Sequence, residues 1–249
     1  MRNILKFAYK ELKVFYIIEI FLFIVISLVA VFYNKNILVF NPLRGGHEFI
    51  FNIIKRYTEL ILYINLIVSV IMLQKQLTSP RGRLLFLSNI SGKKFFGSHI
   101  IGFMLIQALF SVVGFGLILV ASRFKEVFSN ELFSNELFLD FHNIFMLNFN
   151  TVAIYIIILF VTTLVRSSIS NYAIASIVVI VVNILVTLMF LFINYAYPAI
   201  FLPAGTIQFY VNKMFRIVIN IPIILIQCIL AVALFFRATK VLENKLDIV

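Results

Sequence analysis

Six apolar runs of membrane-crossing length alternate with shorter polar stretches along this chain: Val14–Tyr33, Tyr57–Leu73, Ile100–Ser122, Phe149–Val165, Tyr172–Asn194 and Ile217–Phe236. A helix rises 1.5 Å per residue, so about 20 apolar residues cross the ~30 Å hydrocarbon layer. The pattern therefore predicts an all-α polytopic membrane protein, six transmembrane helices in a single domain spanning 1–249. Ahead of the first run, Ile4, Leu5, Ala8 and Leu12 share one helical face, while Arg2, Lys6, Lys10 and Lys13 share the other. Such a segment suits an amphipathic helix lying in the headgroup plane; a solvated basic entry to the first span is the other reading. Between the second and third runs, Pro80 and Gly82 break the helix. A short amphipathic segment, Arg83–Ile90, follows, with Leu84, Leu85, Phe86 and Leu87 as its apolar surface and Ser91-Gly92 as its expected end.

Composition agrees with the pattern. The chain is 63% apolar and 12% charged, with mean hydropathy +1.09, against roughly half apolar and a quarter charged in a soluble domain. Six spans leave no room for a separate soluble domain. The net charge of +11 points to anionic lipid headgroups rather than nucleic acid, because Lys and Arg collect at cytoplasmic helix ends. With the N-terminus inside, the segments 1–13, 74–99, 166–171 and 237–249 carry 13 basic residues, and the opposite segments carry 8. Glu48, Glu126, Glu131, Glu136 and Asp140 all fall on the outer side. Both termini are expected in the cytoplasm. The first run is longer than a signal-peptide core and lacks the small residues of a cleavage site, so it is read as a retained span.

Catalytic chemistry has no visible basis. His47, His99 and His142 lie in or beside different connections with no second ligand at metal spacing. No GxxxxGK[ST] loop and no GxSxG elbow occurs. Cys228 is the single cysteine, so no internal disulfide forms. A repeat of FSNEL, at 128–132 and 133–137, is too short for a solenoid and reads as a local duplication in a tolerant connection.

Polar residues inside the runs fall into stripes. On the fifth span Ser176, Asn183, Thr187 and Asn194 share a face; on the second, Thr58, Asn65 and Ser69; on the third, Gln107, Ser111 and Gly114; on the sixth, Asn220 and Gln227. Polar groups in hydrocarbon must be satisfied, so these faces meet either other helices or a substrate pathway. Glu19 is the only carboxylate well inside a span, about 8 Å into the first helix. It either pairs with a base such as Arg166 or handles substrate or protons. The connection Tyr195–Arg216, with Pro198, Pro203 and Gly205 among apolar residues, is expected to dip partly into the membrane.

The stretch Lys75–Gly97 gathers Lys75, Arg81, Arg83, Lys93 and Lys94 with no acid. It fixes topology, or it docks a short helix on a cytoplasmic partner. The run Arg81-Gly82-Arg83-Leu84-Leu85-Phe86-Leu87, closed by Lys93-Lys94 and placed between spans two and three of six, resembles the loop of ABC-2 type permeases. The short turn Arg166–Asn171 and the tail Lys240-Val241-Leu242-Glu243-Asn244-Lys245-Leu246-Asp247-Ile248 are also similar to that family. Gln74 and Gln76 stand where the family carries an acid before the glycine, and Asn89-Ile90-Ser91 stands where it carries proline.

The resemblance implies a dimeric permease, homo- or heteromeric, in a bacterial plasma membrane. Residues Arg81, Gly82, Arg83, Leu84, Leu85, Leu87, Lys93 and Lys94 would form a coupling helix and its flanks, seated on a separate ATP-binding subunit. The chain itself would then bind no cofactor and catalyse nothing; ATP and Mg would sit on the partner. Small permeases of this kind, including the membrane subunits of staphylococcal phenol-soluble modulin and bacteriocin exporters, move amphipathic peptides. Glu19, Asn65, Ser69, Gln107, Asn183, Thr187, Asn194 and Gln227 would line the pathway or the helix interfaces. The competing expectations are an ATP-independent membrane immunity or interaction protein, and a secondary transporter.

Overall fold

A computed structural model describes residues 12–40, 46–78, 91–123, 130–169, 171–201, 206–212 and 215–245. Among these residues the chain forms six helices and one hairpin: α1 (Lys13–Phe40), α2 (Gly46–Thr78), α3 (Gly92–Arg123), α4 (Asn130–Ser168), α5 (Tyr172–Phe201), β1 (Thr206–Asn212), β2 (Phe215–Asn220) and α6 (Ile221–Lys245). Four stretches among the described residues are long and apolar enough to cross a membrane: Ile53–Leu77, Gly92–Leu119, Phe141–Ser168 and Ile224–Glu243. Ala173–Val186 is a shorter apolar stretch. The helices are compatible with a membrane protein. Their outward faces are correspondingly apolar, with Val14, Phe21, Leu105, Val112, Ile177 and Ile229 all more than 60% exposed. A soluble monomer rarely leaves so much contiguous apolar surface uncovered.

The helices group into two compact units. One comprises the described residues of Tyr9–Asn65 together with those of Met104–Phe149. On α1 only Tyr16, Glu19, Phe23 and Ser27 are buried between Lys13 and Val29, at intervals of three and four that define one helical face. Tyr16 meets Phe110 at 6.2 Å between ring centroids, and Phe23 meets Tyr57 at 5.4 Å. Ile61 and Leu62 complete this core. Gly114 brings α3 against α2, since a Cβ there would land on Cγ2 of Thr58.

The other unit comprises Leu66–Phe103 and the described residues from Asn150 onward. Its core joins Leu73 and Leu77 of α2, Phe95, Phe96 and Phe103 of α3, Tyr155 and Leu159 of α4, and Ala238 and Leu242 of α6. Phe103 stacks on Tyr155 with centroids 4.5 Å apart, a geometry that adds about 0.5–1.5 kcal/mol beyond area burial. Lipid chains are as apolar as leucine, so close packing of this kind, rather than escape from water, holds such helices together.

Three elements depart from the sequence reading. Helix α3 begins at Gly92 rather than at Ile100, because Phe95 and Phe96 are buried in the core and anchor two extra turns. Helix α4 begins at Asn130 and runs 39 residues, so the second FSNEL copy is helical, not part of a connection. No Gly or Pro interrupts 130–168, and the helix is therefore about 58 Å long, well beyond the hydrocarbon layer. The third departure adds a two-stranded hairpin to the six helices. Before the last helix β1 and β2 pair antiparallel, with Ile207 opposite Ile219 and Phe209 opposite Ile217. Alternation at period two runs through Ile207, Phe209 and Val211 and through Phe215, Ile217 and Ile219, which is the strand repeat. Helix α6 consequently starts at Ile221, with Pro222 in its first turn, where no backbone N–H is required. Asn220 belongs to β2 and does not share a helical face with Gln227.

Candidate functional site at the base of the basic loop

The two ends of the basic stretch are seated in one core. Gln76 and Leu77, in the last turn of α2, are buried, as are Phe95 and Phe96 in the first turns of α3. Ser91 opens α3, its carbonyl accepting the N–H of Phe95 at 3.1 Å. Lys75, Lys93 and Lys94 are exposed around this base. Arg81, Gly82, Arg83, Leu84, Leu85 and Leu87, and the short helix expected over Arg83–Ile90, lie outside the described residues, as does the amphipathic segment expected over 1–11.

The start of α3 is held by the end of α6. The N–H of Gly92 donates to Oε1 of Glu243 at 2.9 Å. The first N–H groups of a helix have no partner within it and form the positive end of its dipole. A carboxylate there satisfies one donor and typically contributes 0.3–1 kcal/mol. Glycine suits the close approach. A Cβ at Gly92 would lie 3.0 Å from the Thr239 carbonyl oxygen, 3.3 Å from Oε1 of Glu243 and 3.3 Å from a Leu242 methyl. One residue on, the Lys93 ammonium stands 5.7 Å from the centre of the Phe236 ring, within cation–π range. Ser91-Gly92, expected to end a short helix, therefore begin a long one, with Lys93 and Lys94 in its first turn. The signal for this was divided between Gly92 and Glu243, which are 151 residues apart.

The polar stripes mostly tie helices to one another. In the unit that contains α1, the Gln107 amide of α3 donates to the Leu62 carbonyl of α2 at 3.0 Å. Ser111 Oγ–H donates to the Gln107 carbonyl, and the amide of Asn148 on α4 donates to Ser111 Oγ. In the other unit the Gln227 amide of α6 donates to Asn150 Oδ1 of α4 at 3.3 Å. Arg166 donates to Ser176 Oγ at 3.1 Å, joining α4 to α5. Asn148 and Asn150 were absent from the sequence reading. Their signal is a pair of amides two residues apart in an otherwise apolar run.

The other singled-out residues divide. Glu19 is only 8% exposed, and neither carboxylate oxygen has a hydrogen-bond partner among the described residues. Asn65 and Ser69 are buried, and their side-chain polar atoms also lack partners among the described residues. Asn183 is half-buried. The side chains of Thr187 and Asn194 lie outside the described residues. Among the described residues no group of three or more His, Cys, Asp or Glu side chains is placed to hold a metal ion, and Cys228 is exposed and unpaired.

Comparison with protein-family models, with curated proteins and with solved structures finds no match to this chain.

Proposed function

We propose that the chain is the transmembrane subunit of an ATP-driven exporter of the ABC-2 type, moving amphipathic or hydrophobic peptides out of or away from a bacterial plasma membrane. In this reading α1 to α6 all span the membrane, both termini are cytoplasmic, and two permease chains pair with two separate ATP-binding subunits. Residues 79–90 enter the cleft of the ATP-binding subunit through the apolar face of Leu84, Leu85 and Leu87.

The observation that carries the reading is the anchoring of both ends of that loop in one packed cluster, Leu77 on one side and Phe95 and Phe96 on the other, with Leu242 in the same core. A push on a segment tied at both ends to a close-packed core is transmitted, because such cores switch between discrete arrangements rather than deform smoothly. In this reading the energy source sits on a separate ATP-binding polypeptide, since the sequence given carries no nucleotide motif. The buried amides that join helices favour a rearranging bundle over an acid relay.

The test is affinity purification of the full chain from its native membrane with and without Leu84→Asp/Leu87→Asp. An ATP-hydrolysing chain is expected to copurify with the parent and to be lost from the variant. Efflux supported by this chain in a host lacking any ATP-binding partner would overturn the reading.

A further inference from the structure

The meeting of α3 and α6 at Gly92 also gathers four bases. Lys93 and Lys94 in the first turn of α3, and Arg237 and Lys240 near the end of α6, are all exposed. On α6, Phe236, Lys240 and Glu243 recur at intervals of four and three and so form one stripe. That stripe faces α3 at two points: Phe236 lies beneath the Lys93 ammonium, and Glu243 accepts the Gly92 N–H. Lys240 lies between those two contacts along the stripe. Arg237 and Lys94 occupy the adjoining positions.

Among the described residues little balances this charge. Among the described residues of this unit Glu243 is the only acid, and its Oε1 is already engaged by a backbone N–H. None of the four bases makes a salt bridge among the described residues. The junction also marks a level. The apolar stretches Gly92–Leu119 and Ile224–Glu243 both terminate here, while Ile101 and Val232 farther along them are exposed on the outer surface. Side chains of this length carry their charge outward from an apolar stem, to the depth at which lipid phosphates lie.

We propose that Lys93, Lys94, Arg237 and Lys240 form a binding site for the phosphate of an anionic lipid headgroup, assembled by the Glu243–Gly92 hydrogen bond. The site is independent of any ATP-binding partner. An occupied site clamps the exit of the basic loop, because the same four side chains flank the first turn of α3.

Native mass spectrometry of the full-length chain in neutral detergent tests this, with phosphatidylglycerol and phosphatidylcholine titrated separately. Phosphatidylglycerol is expected to bind more tightly. Each lost base weakens it about fivefold, so Lys94→Gln/Lys240→Gln and Lys93→Gln/Arg237→Gln should each lose on the order of 30-fold. Lys13→Gln/Arg56→Gln removes the same charge elsewhere and should change binding less than threefold. Glu243 separates an assembled site from simple charge. Net-charge attraction makes Glu243→Ala bind phosphatidylglycerol more tightly, whereas loss of the assembling hydrogen bond makes it bind more weakly. Glu243→Gln keeps an acceptor and should retain binding. Equal affinity for the two lipids, an equal loss in the Lys13/Arg56 control, or tighter binding by a folded Glu243→Ala would each overturn the proposal. Displacement of the lipid by millimolar inorganic phosphate would overturn it too, by marking a site for free anions.

Discussion

Adding one methyl group at Gly114 measures how closely α2 and α3 pack. The new Cβ would land on Cγ2 of Thr58, with Oγ1 2.8 Å away and Cβ 3.2 Å away, whereas carbon atoms in ordinary contact sit about 3.5–4.0 Å apart. Thr58 cannot step aside cheaply. Its Oγ1–H donates to the Ile54 carbonyl at 2.8 Å, and a β-branched side chain on a helix has few rotamers. Overpacking of this kind costs about 1–3 kcal/mol, set against roughly 1 kcal/mol gained from replacing helical glycine by alanine. Gly116 provides an internal control, because a Cβ there meets nothing within 4 Å. Gly116→Ala should therefore be neutral or stabilising, and Gly114→Ala should fall below it by about 1–3 kcal/mol. At roughly 2–4 °C per kcal/mol for a chain of this size, the two variants should differ by about 2–12 °C in apparent Tm. Fluorescence-detected size exclusion after heating in detergent reads this difference. Thr58→Ala removes both Cγ2 and Oγ1, so Gly114→Ala introduced into that background should lose most of its penalty. A coupling energy under ~0.5 kcal/mol, the scatter expected of independent sites, would refute the contact.

Other consequences follow from individual contacts and are checked by the same melting assay. Phe95→Ala empties a fully buried position between Phe96 and His99 and should cost about 3–5 kcal/mol, more than any polar substitution named here. Asn148→Ala removes the tie to Ser111 and should cost about 0.6 kcal/mol and no more than ~1.7; in a Ser111→Ala background the cost should shrink. Glu19→Gln replaces a buried carboxylate that has no hydrogen-bond partner among the described residues by a neutral side chain of the same shape, and should leave Tm unchanged or raise it; a clear fall would reveal a partner that holds the charge. Gly92→Ala drives a methyl group toward the Thr239 carbonyl and should lower Tm, and it should also raise amide hydrogen exchange across residues 92–96.

Helical periodicity made the bundle legible in advance. Thr58, Asn65 and Ser69 fall at intervals of seven and four, and all three are buried. Gln107, Ser111 and Gly114 share a face that does meet neighbouring helices. These stripes are local signals, set by the pitch of one helix. The features that escaped are of other kinds. Glu243 and Gly92 each have ordinary readings alone, an exposed acid in a tail and a terminator after a loop; their meaning lies in the contact. The hairpin was hidden because an alternating strand built on Ile, Phe and Val counts as an apolar run when only length and hydropathy are weighed. Helix α4 starts well before the predicted span at Phe149 because polar residues such as Asn130–Asp140 mark the edge of a hydrocarbon crossing and not the end of a helix. Thr187, Asn194 and the loop residues Arg81–Leu87 stand as sequence expectations.

The Glu243–Gly92 contact also orders events during synthesis. The donor is made 151 residues before its acceptor, which at about 5–20 residues per second is a delay of roughly 8–30 s. Throughout that interval the first turn of α3 lacks its carboxylate cap. The base of the loop is thus fastened late, only once α6 has been made.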